Sequence, residues 1–170
     1  MIKLKDLLVE RDVPEIQKIF LDMDGVITDF SRQFRKLSRE EPEEYEKKFG
    51  KKKFWDLIDR EGIEFWSKMP WTNDGKVLWN YLKNKNVAIL SAPSEHPDSS
   101  NGKKIWVKRE LGNVPIFLRQ PEEKKNLSCP TCLLIDDRTD TVSQWVNAGG
   151  FGIPHKSAAD TIKKLKNFKI

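Results

Sequence analysis

Short apolar runs alternate with stretches at helical spacing after residue 70, and this alternation restricts the fold more than any other feature of the sequence. The runs are Asn86–Ser91, Pro115–Leu118, Cys132–Asp136 and Phe151–Pro154. An earlier one, Lys18-Ile-Phe-Leu-Asp22, ends in acid. Between them lie predicted helices over residues 72–83, 103–111, 139–148 and 158–168. Thr72-Asn-Asp-Gly opens the first, Gly149-Gly150 closes the third and Ser157 caps the fourth. The second has Ile105, Trp106 and Leu111 placed to face inward, after a loop over 92–102 rich in Pro, Ser, Asn and Gly. Strands that alternate with helices form a parallel sheet covered on both faces, joined by right-handed crossovers. The predicted class is therefore α/β. Ligands of such sheets bind beyond the carboxyl ends of the strands, where the sequence puts Asp22, Ser91, Asp136 and Asp137.

Residues 28–70 have a different character. Phe30, Phe34, Leu37, Tyr45, Phe49, Phe54, Trp55, Leu57, Ile58, Phe65 and Trp66 lie among many charges, at partly helical spacing. This predicts a helical insertion at 28–70 within a core made of 1–27 and 71–170. Residues 1–16 read as a short amphipathic start built on Leu4, Leu7, Leu8 and Val13 and broken at Pro14. That start is too charged for a signal peptide, and no apolar run nears the ~20 residues that span a bilayer. The expectation is a cytoplasmic protein with no membrane partner. Cys129 and Cys132, in Cys-Pro-Thr-Cys, cannot complete a four-ligand zinc site; in a reducing compartment they are expected to be two ordinary thiols.

Carboxylates gathered at one sheet edge repel one another unless a cation offsets them. Oxygen ligands without nearby histidine or cysteine suit Mg²⁺. In such a site one aspartate can attack phosphorus, a second acid can protonate the departing alkoxide, and a hydroxyl and a lysine can hold the phosphate oxygens. Taken singly, Asp-x-Asp-Gly is also an ordinary turn and Asp136-Asp137 an ordinary helix cap. Together, on separate strands with Ser91 between, they point to phosphoryl chemistry. The net charge of +5 favours an anionic partner without choosing one.

Asp22-Met-Asp24-Gly-Val, Ser91, a downstream lysine and Ile135-Asp-Asp137 resemble the haloacid dehalogenase superfamily of phosphatases, over residues 17 to 155. The resemblance implies a Rossmann-like sheet with a cap inserted after the first motif. It implies Asp22 as nucleophile and metal ligand, and Asp24 as general acid/base with its backbone carbonyl on the metal. Ser91 would bind phosphate and Asp136 would ligate Mg²⁺. Asp137 would complete the acidic site and Asp140 would support it. Lys124 and Lys125 both suit the phosphate-binding lysine; Lys125 is favoured. Lys103 is a further candidate, although a lysine at a helix start more often faces solvent.

The run from Asp22 through Asp29 to Phe30, Ser91-Ala-Pro-Ser, Lys104-Ile-Trp-Val107 and Leu134-Ile-Asp-Asp-Arg138 more closely resemble 5'(3')-deoxyribonucleotidases. These imply a nucleoside monophosphate substrate, with Phe30, Phe65 and Trp66 as candidates to stack the base. The other reading of Phe65 and Trp66 is the insertion's own core. One departure is Ala92, where that family has a second hydroxyl residue. Asp136-Asp-Arg-Thr139 with Trp145 also resembles the phosphatase domain of phage polynucleotide kinase-phosphatases, which act on the 3'-phosphate ends of nucleic acid. A non-catalytic phosphoryl-binding scaffold is a third possibility; the intact Asp22 and Asp24 speak against it.

Overall fold

The structure is a computed structural model that describes residues 13–170. The amphipathic start expected over residues 1–16 thus lies almost wholly outside the described residues. Five parallel strands form one sheet in the order β3-β2-β1-β4-β5. They are β1 (Lys18–Leu21), β2 (Val87–Ser91), β3 (Ile116–Leu118), β4 (Cys132–Asp136) and β5 (Phe151–Pro154). β1 is central, with Phe20 in register with Ala88 on one side and Leu134 on the other. Both faces of the middle strands are buried, which is why β2 and β4 read as continuous apolar runs and not as alternating ones.

Helices α1 (Phe30–Ser38), α2 (Pro42–Phe49), α3 (Lys51–Glu61) and α4 (Ile63–Ser67) follow β1. The chain leaves for them at Thr28 and returns at Trp71, and these two residues pair in an antiparallel bridge. Asp29 N–H donates to Pro70 O at 2.9 Å. Asp29 also caps α1, accepting from Arg32 N–H at 2.8 Å. The apolar residues of this segment join the main core: Phe34, Phe54, Ile58, Phe65 and Trp66 share one cluster with Leu21 and Ile89 of the sheet and with Met23, Leu78 and Trp106.

The remaining helices are α5 (Gly75–Leu82), α6 (Pro97–Glu110), α7 (Thr139–Asn147) and α8 (Ala158–Leu165), with a 3₁₀ helix at Pro121–Leu127. α6 begins six residues before its predicted start. Pro97 is well suited to a first helical turn, and His96 accepts a hydrogen bond from Asp98 N–H. Gly102 breaks nothing here. A Cβ on it would collide with Trp66, Ile63 and Ser67, so glycine lets α6 press against α4. The early start turns Lys103 into a mid-helix residue. It also corrects Ile105, which is exposed, while Trp106 is fully buried.

Cys129 and Cys132 form a disulfide, which overturns the expectation of free thiols. Pro130 and Thr131 make a tight turn closed by Cys132 N–H donating to Cys129 O at 3.0 Å. That turn brings the two Cα atoms to 4.9 Å, within bridging distance. Among the described residues no helix is long and apolar enough to cross a membrane.

Candidate active site

Three adjacent strands, β2, β1 and β4, deliver side chains to one end of the sheet. Asp22 follows β1, Ser91 ends β2 and Asp136 ends β4. All three are buried. Backbone pairing fixes Asp22 beside β4, since its N–H donates to Ile135 O at 2.9 Å. The chain then turns sharply: the N–H groups of Val26, Ile27 and Thr28 all converge on Met23 O. This turn returns Thr28 to Asp24, whose Oδ1 accepts from Thr28 Oγ1 at 2.8 Å.

Lys124 lies on the 3₁₀ helix and is buried. Its Nζ donates to Asp22 Oδ1 at 2.9 Å and to Asp136 Oδ2 at 2.7 Å. Lys125, the residue favoured from sequence, is exposed; that preference is corrected to Lys124. Adjacent residues on so tight a helix point in different directions, and only one of the two can face the strand ends. Lys103 is fully buried, against the expectation of a solvent-facing lysine. Its Nζ donates to Asp24 Oδ2 at 2.5 Å and to Ser91 Oγ at 2.9 Å.

Asp22, Asp136 and Asp137 each offer an oxygen, and these oxygens lie within 4.8 Å of one another. Asp136 Oδ1 accepts from Arg138 N–H at 2.9 Å, while Oδ2 takes Lys124. Burial pushes the Asp22 carboxyl up; Lys124 opposes this, and the Asp136 and Asp24 carboxylates add to it. The result is a rise from 3.8 to about 7. Asp137 is raised to about 6, first by burial of its carboxyl and then by Asp136. Asp137 is an exposed residue, but its carboxyl tip is tucked against Gly25, where a Cβ would overlap it. Burial alone would lower Lys124, yet Asp22 and Asp136 outweigh it and hold its ammonium above the ordinary lysine value. This donor set fits Mg²⁺: it is all oxygen, clustered, and short of positive charge. Asp24 is different, because Thr28 and Lys103 already engage its carboxylate. Each of its carboxylate oxygens already accepts one hydrogen bond, and it is absent from the oxygen cluster of Asp22, Asp136 and Asp137.

A cavity of ≈ 500 Å³ opens over these groups, lined by Asp22, Asp24, Phe30, Glu43, Lys124 and Arg138 among others. Phe30 is braced from behind by Phe65 and Trp66, with ring centroids at 5.4 and 5.9 Å. Phe65 and Trp66 do not line the cavity and are buried. This corrects the expectation that they stack a base: they are core. Asp140 is corrected as well. It is exposed and paired with Arg138 at 2.9 Å, and it does not reach the carboxylate cluster.

Sequence reasoning missed Thr28 and undervalued Lys103. A buried threonine four residues after Asp24 leaves no sequence signal beyond the motif itself. Gly102 beside Lys103 suits a loop as readily as a close helix contact, and only the contact buries the lysine.

No protein-family model matches the sequence, and no curated protein matches it either. Solved structures do match. A hydrolase from Streptococcus pneumoniae TIGR4 aligns with a TM-score of 0.58 at 12% identity, covering 89% of this chain and 99% of the other. A haloacid dehalogenase-like hydrolase from Xanthomonas campestris gives 0.53 at 11% identity, covering 88% and 85%. A phosphoserine phosphatase in its apo form gives 0.50 at 13% identity, covering 88% and 98%. The chain therefore has the fold of the haloacid dehalogenase-like hydrolases.

Proposed function

We propose that the protein is a magnesium-dependent phosphomonoester hydrolase acting on small monoesters, with nucleoside monophosphates as the preferred class. One observation carries the chemistry: Asp22, Asp24, Ser91 and Asp136 converge at the strand ends with two buried lysines laid between them. In the first half of the reaction an Asp22 oxygen attacks phosphorus. The bond from phosphorus to the ester oxygen breaks, and that oxygen takes its proton from the Asp24 carboxylic acid. In the second half, the Asp24 carboxylate removes a proton from water as the water oxygen attacks the aspartyl-phosphate. Asp22 leaves as a carboxylate, inorganic phosphate departs and Asp24 is acidic again. Ser91 and Lys124 hold the non-reacting phosphate oxygens. Bound through Asp22, Asp136 and Asp137, Mg²⁺ would offset the charge of carboxylates and phosphate together.

Phe30 supports the nucleoside assignment, as an aromatic ring on the cavity wall suited to a base. Asp29 and Glu43 on the same wall favour a mononucleotide over a polynucleotide end, whose further phosphates they repel. The test is phosphate release with Mg²⁺ or with EDTA. The panel holds 5'- and 3'-deoxynucleoside monophosphates, their ribo forms, a 3'-phosphorylated oligonucleotide and sugar phosphates. Metal-dependent release from mononucleotides, with Phe30→Ala harming them far more than a generic aryl phosphate, is the expected result. Release from the oligonucleotide alone would transfer the assignment to nucleic-acid ends. A folded protein silent on every substrate would refute the phosphatase reading.

A further inference from the structure

Lys103 is the largest fully buried charged side chain in the described fold, and the chemistry above gives it no part. It sits mid-way along α6, where Gly102 brings that helix onto α4. Its ammonium lies 5.3 Å from the centre of the Trp66 ring, which shields it from water. A lysine ammonium can only donate. Since Nζ donates to Ser91 Oγ, one lone pair of that oxygen is taken and the hydroxyl proton must point elsewhere. Ser91 itself is fully buried, and Ala92, the next residue, lines the cavity at this strand end. The same ammonium fixes Asp24 Oδ2, while Thr28 fixes Oδ1. The Asp24 carboxyl is therefore held at both oxygens, in one plane.

We propose that Lys103 is a positioning residue: it aims the Asp24 carboxyl at the leaving-group oxygen and commits the Ser91 hydroxyl to donating toward phosphate. This rests on the phosphatase reading and adds a division of labour between the lysines. Lys124 serves the attacking side of phosphorus and Lys103 the departing side. Trp66, lost as a base contact, gains a role as the cover over Lys103.

The test uses the contrast between leaving groups. An alkyl phosphate needs its departing oxygen protonated, whereas p-nitrophenyl phosphate releases a stabilised anion and does not. Lys103→Met should lower kcat on an alkyl phosphate by about 100-fold or more, the usual worth of a positioned acid. On p-nitrophenyl phosphate kcat should fall by less than about 10-fold on the same scale, with KM rising on both substrates as Ser91 loses its orientation. Because the single variant leaves Asp24 without its cation, the double variant D24N/K103M is measured beside D24N; removing both charges leaves neither unpaired. In the Asp24→Asn background, loss of Lys103 should cost the alkyl phosphate little further, since the two act as one unit. Equal losses on both substrates, or a full additive loss in the Asp24→Asn background, would overturn the assignment. If the unmodified protein hydrolyses neither ester, the phosphatase reading itself fails and this inference goes with it.

Discussion

Replacing Asp22 with asparagine should abolish turnover and make the metal-free protein more stable at neutral and alkaline pH. In the unfolded chain the Asp22 carboxyl ionises near 3.8; in the fold it ionises near 7. A raised carboxyl favours folding only while protonated. Stability is therefore fully present below 3.8, declines as pH climbs, and has lost the whole contribution above about 7. The interval is worth on the order of 4 kcal/mol. Asparagine resembles the protonated form at every pH, so at pH 8 in EDTA the Asp22→Asn variant escapes that cost. For a domain of this size the gain is about 10 °C in Tm. It should shrink steadily toward pH 4, where both proteins carry a neutral side chain. The assay is thermal unfolding followed by circular dichroism from pH 4 to 8.5, beside phosphate release. A variant that melts at or below the parent's temperature at pH 8 would refute the argument, because it would mean that Lys124 neutralises Asp22 completely.

Lys124→Met should destabilise the fold by about 3–5 kcal/mol in denaturant titration, because it leaves two buried carboxylates facing each other. It should also cut kcat/KM by at least about 100-fold. Lys125→Met, one residue away on the exposed side, should change stability by less than about 0.5 kcal/mol and leave turnover intact. Gly25→Ala must place a Cβ at a φ of 80° and against the Asp137 carboxyl. Mg²⁺ affinity, read by calorimetry, should fall about 10-fold as Asp137 swings away, with a stability cost of about 1–2 kcal/mol. Mg²⁺ binding to the parent protein should release about 1.5 protons at pH 6 and almost none at pH 8.5; calorimetry in buffers of different ionisation enthalpy measures the number.

Where the sequence carried a strong local signal, the fold followed it. β2 and β4 are apolar up to Ser91 and Asp136 and buried along their length, and β1 is apolar and buried from Ile19 to Leu21, with Asp22 next in the chain. The start of α6 was illegible because two meanings of small residues coincide. Pro97, Ser99, Ser100, Asn101 and Gly102 are loop formers singly, yet here they form the first turns of α6, and Gly102 lets α4 approach. Lys103 was misjudged as a consequence, since a lysine at a helix start is solvated and one in the middle of a packed face is not. The choice between Lys124 and Lys125 depended on the phase of a single 3₁₀ turn, which neighbouring residues do not encode. Phe65 and Trp66 were ambiguous for another reason: aromatic spacing is the same whether rings face a base or a core.

The charges of the site account for its titration. Asp22, Asp24, Asp136 and Asp137 supply four negative charges when ionised, and Lys103 and Lys124 return two. Arg138 contributes little, because Asp140 already pairs with it. An excess of two negative charges in a largely buried space must be offset. Without a metal the means at hand is protonation, and the two carboxyls that rise furthest, Asp22 to about 7 and Asp137 to about 6, are two of the three whose oxygens cluster. A divalent cation at the same oxygens carries the charge of those two protons. Metal and protons are then alternative occupants of one electrostatic deficit. On the proposed mechanism this would tie the ionisation of Asp22 to the metal: a cation that displaced the Asp22 proton would free the oxygen proposed to attack phosphorus. Asp24 is held differently: Lys103 pairs with it directly, although its charge still adds to the rise of Asp22 and Asp137. One carboxylate can thus be controlled by the metal and the other by a lysine, although only Met23 separates them in sequence.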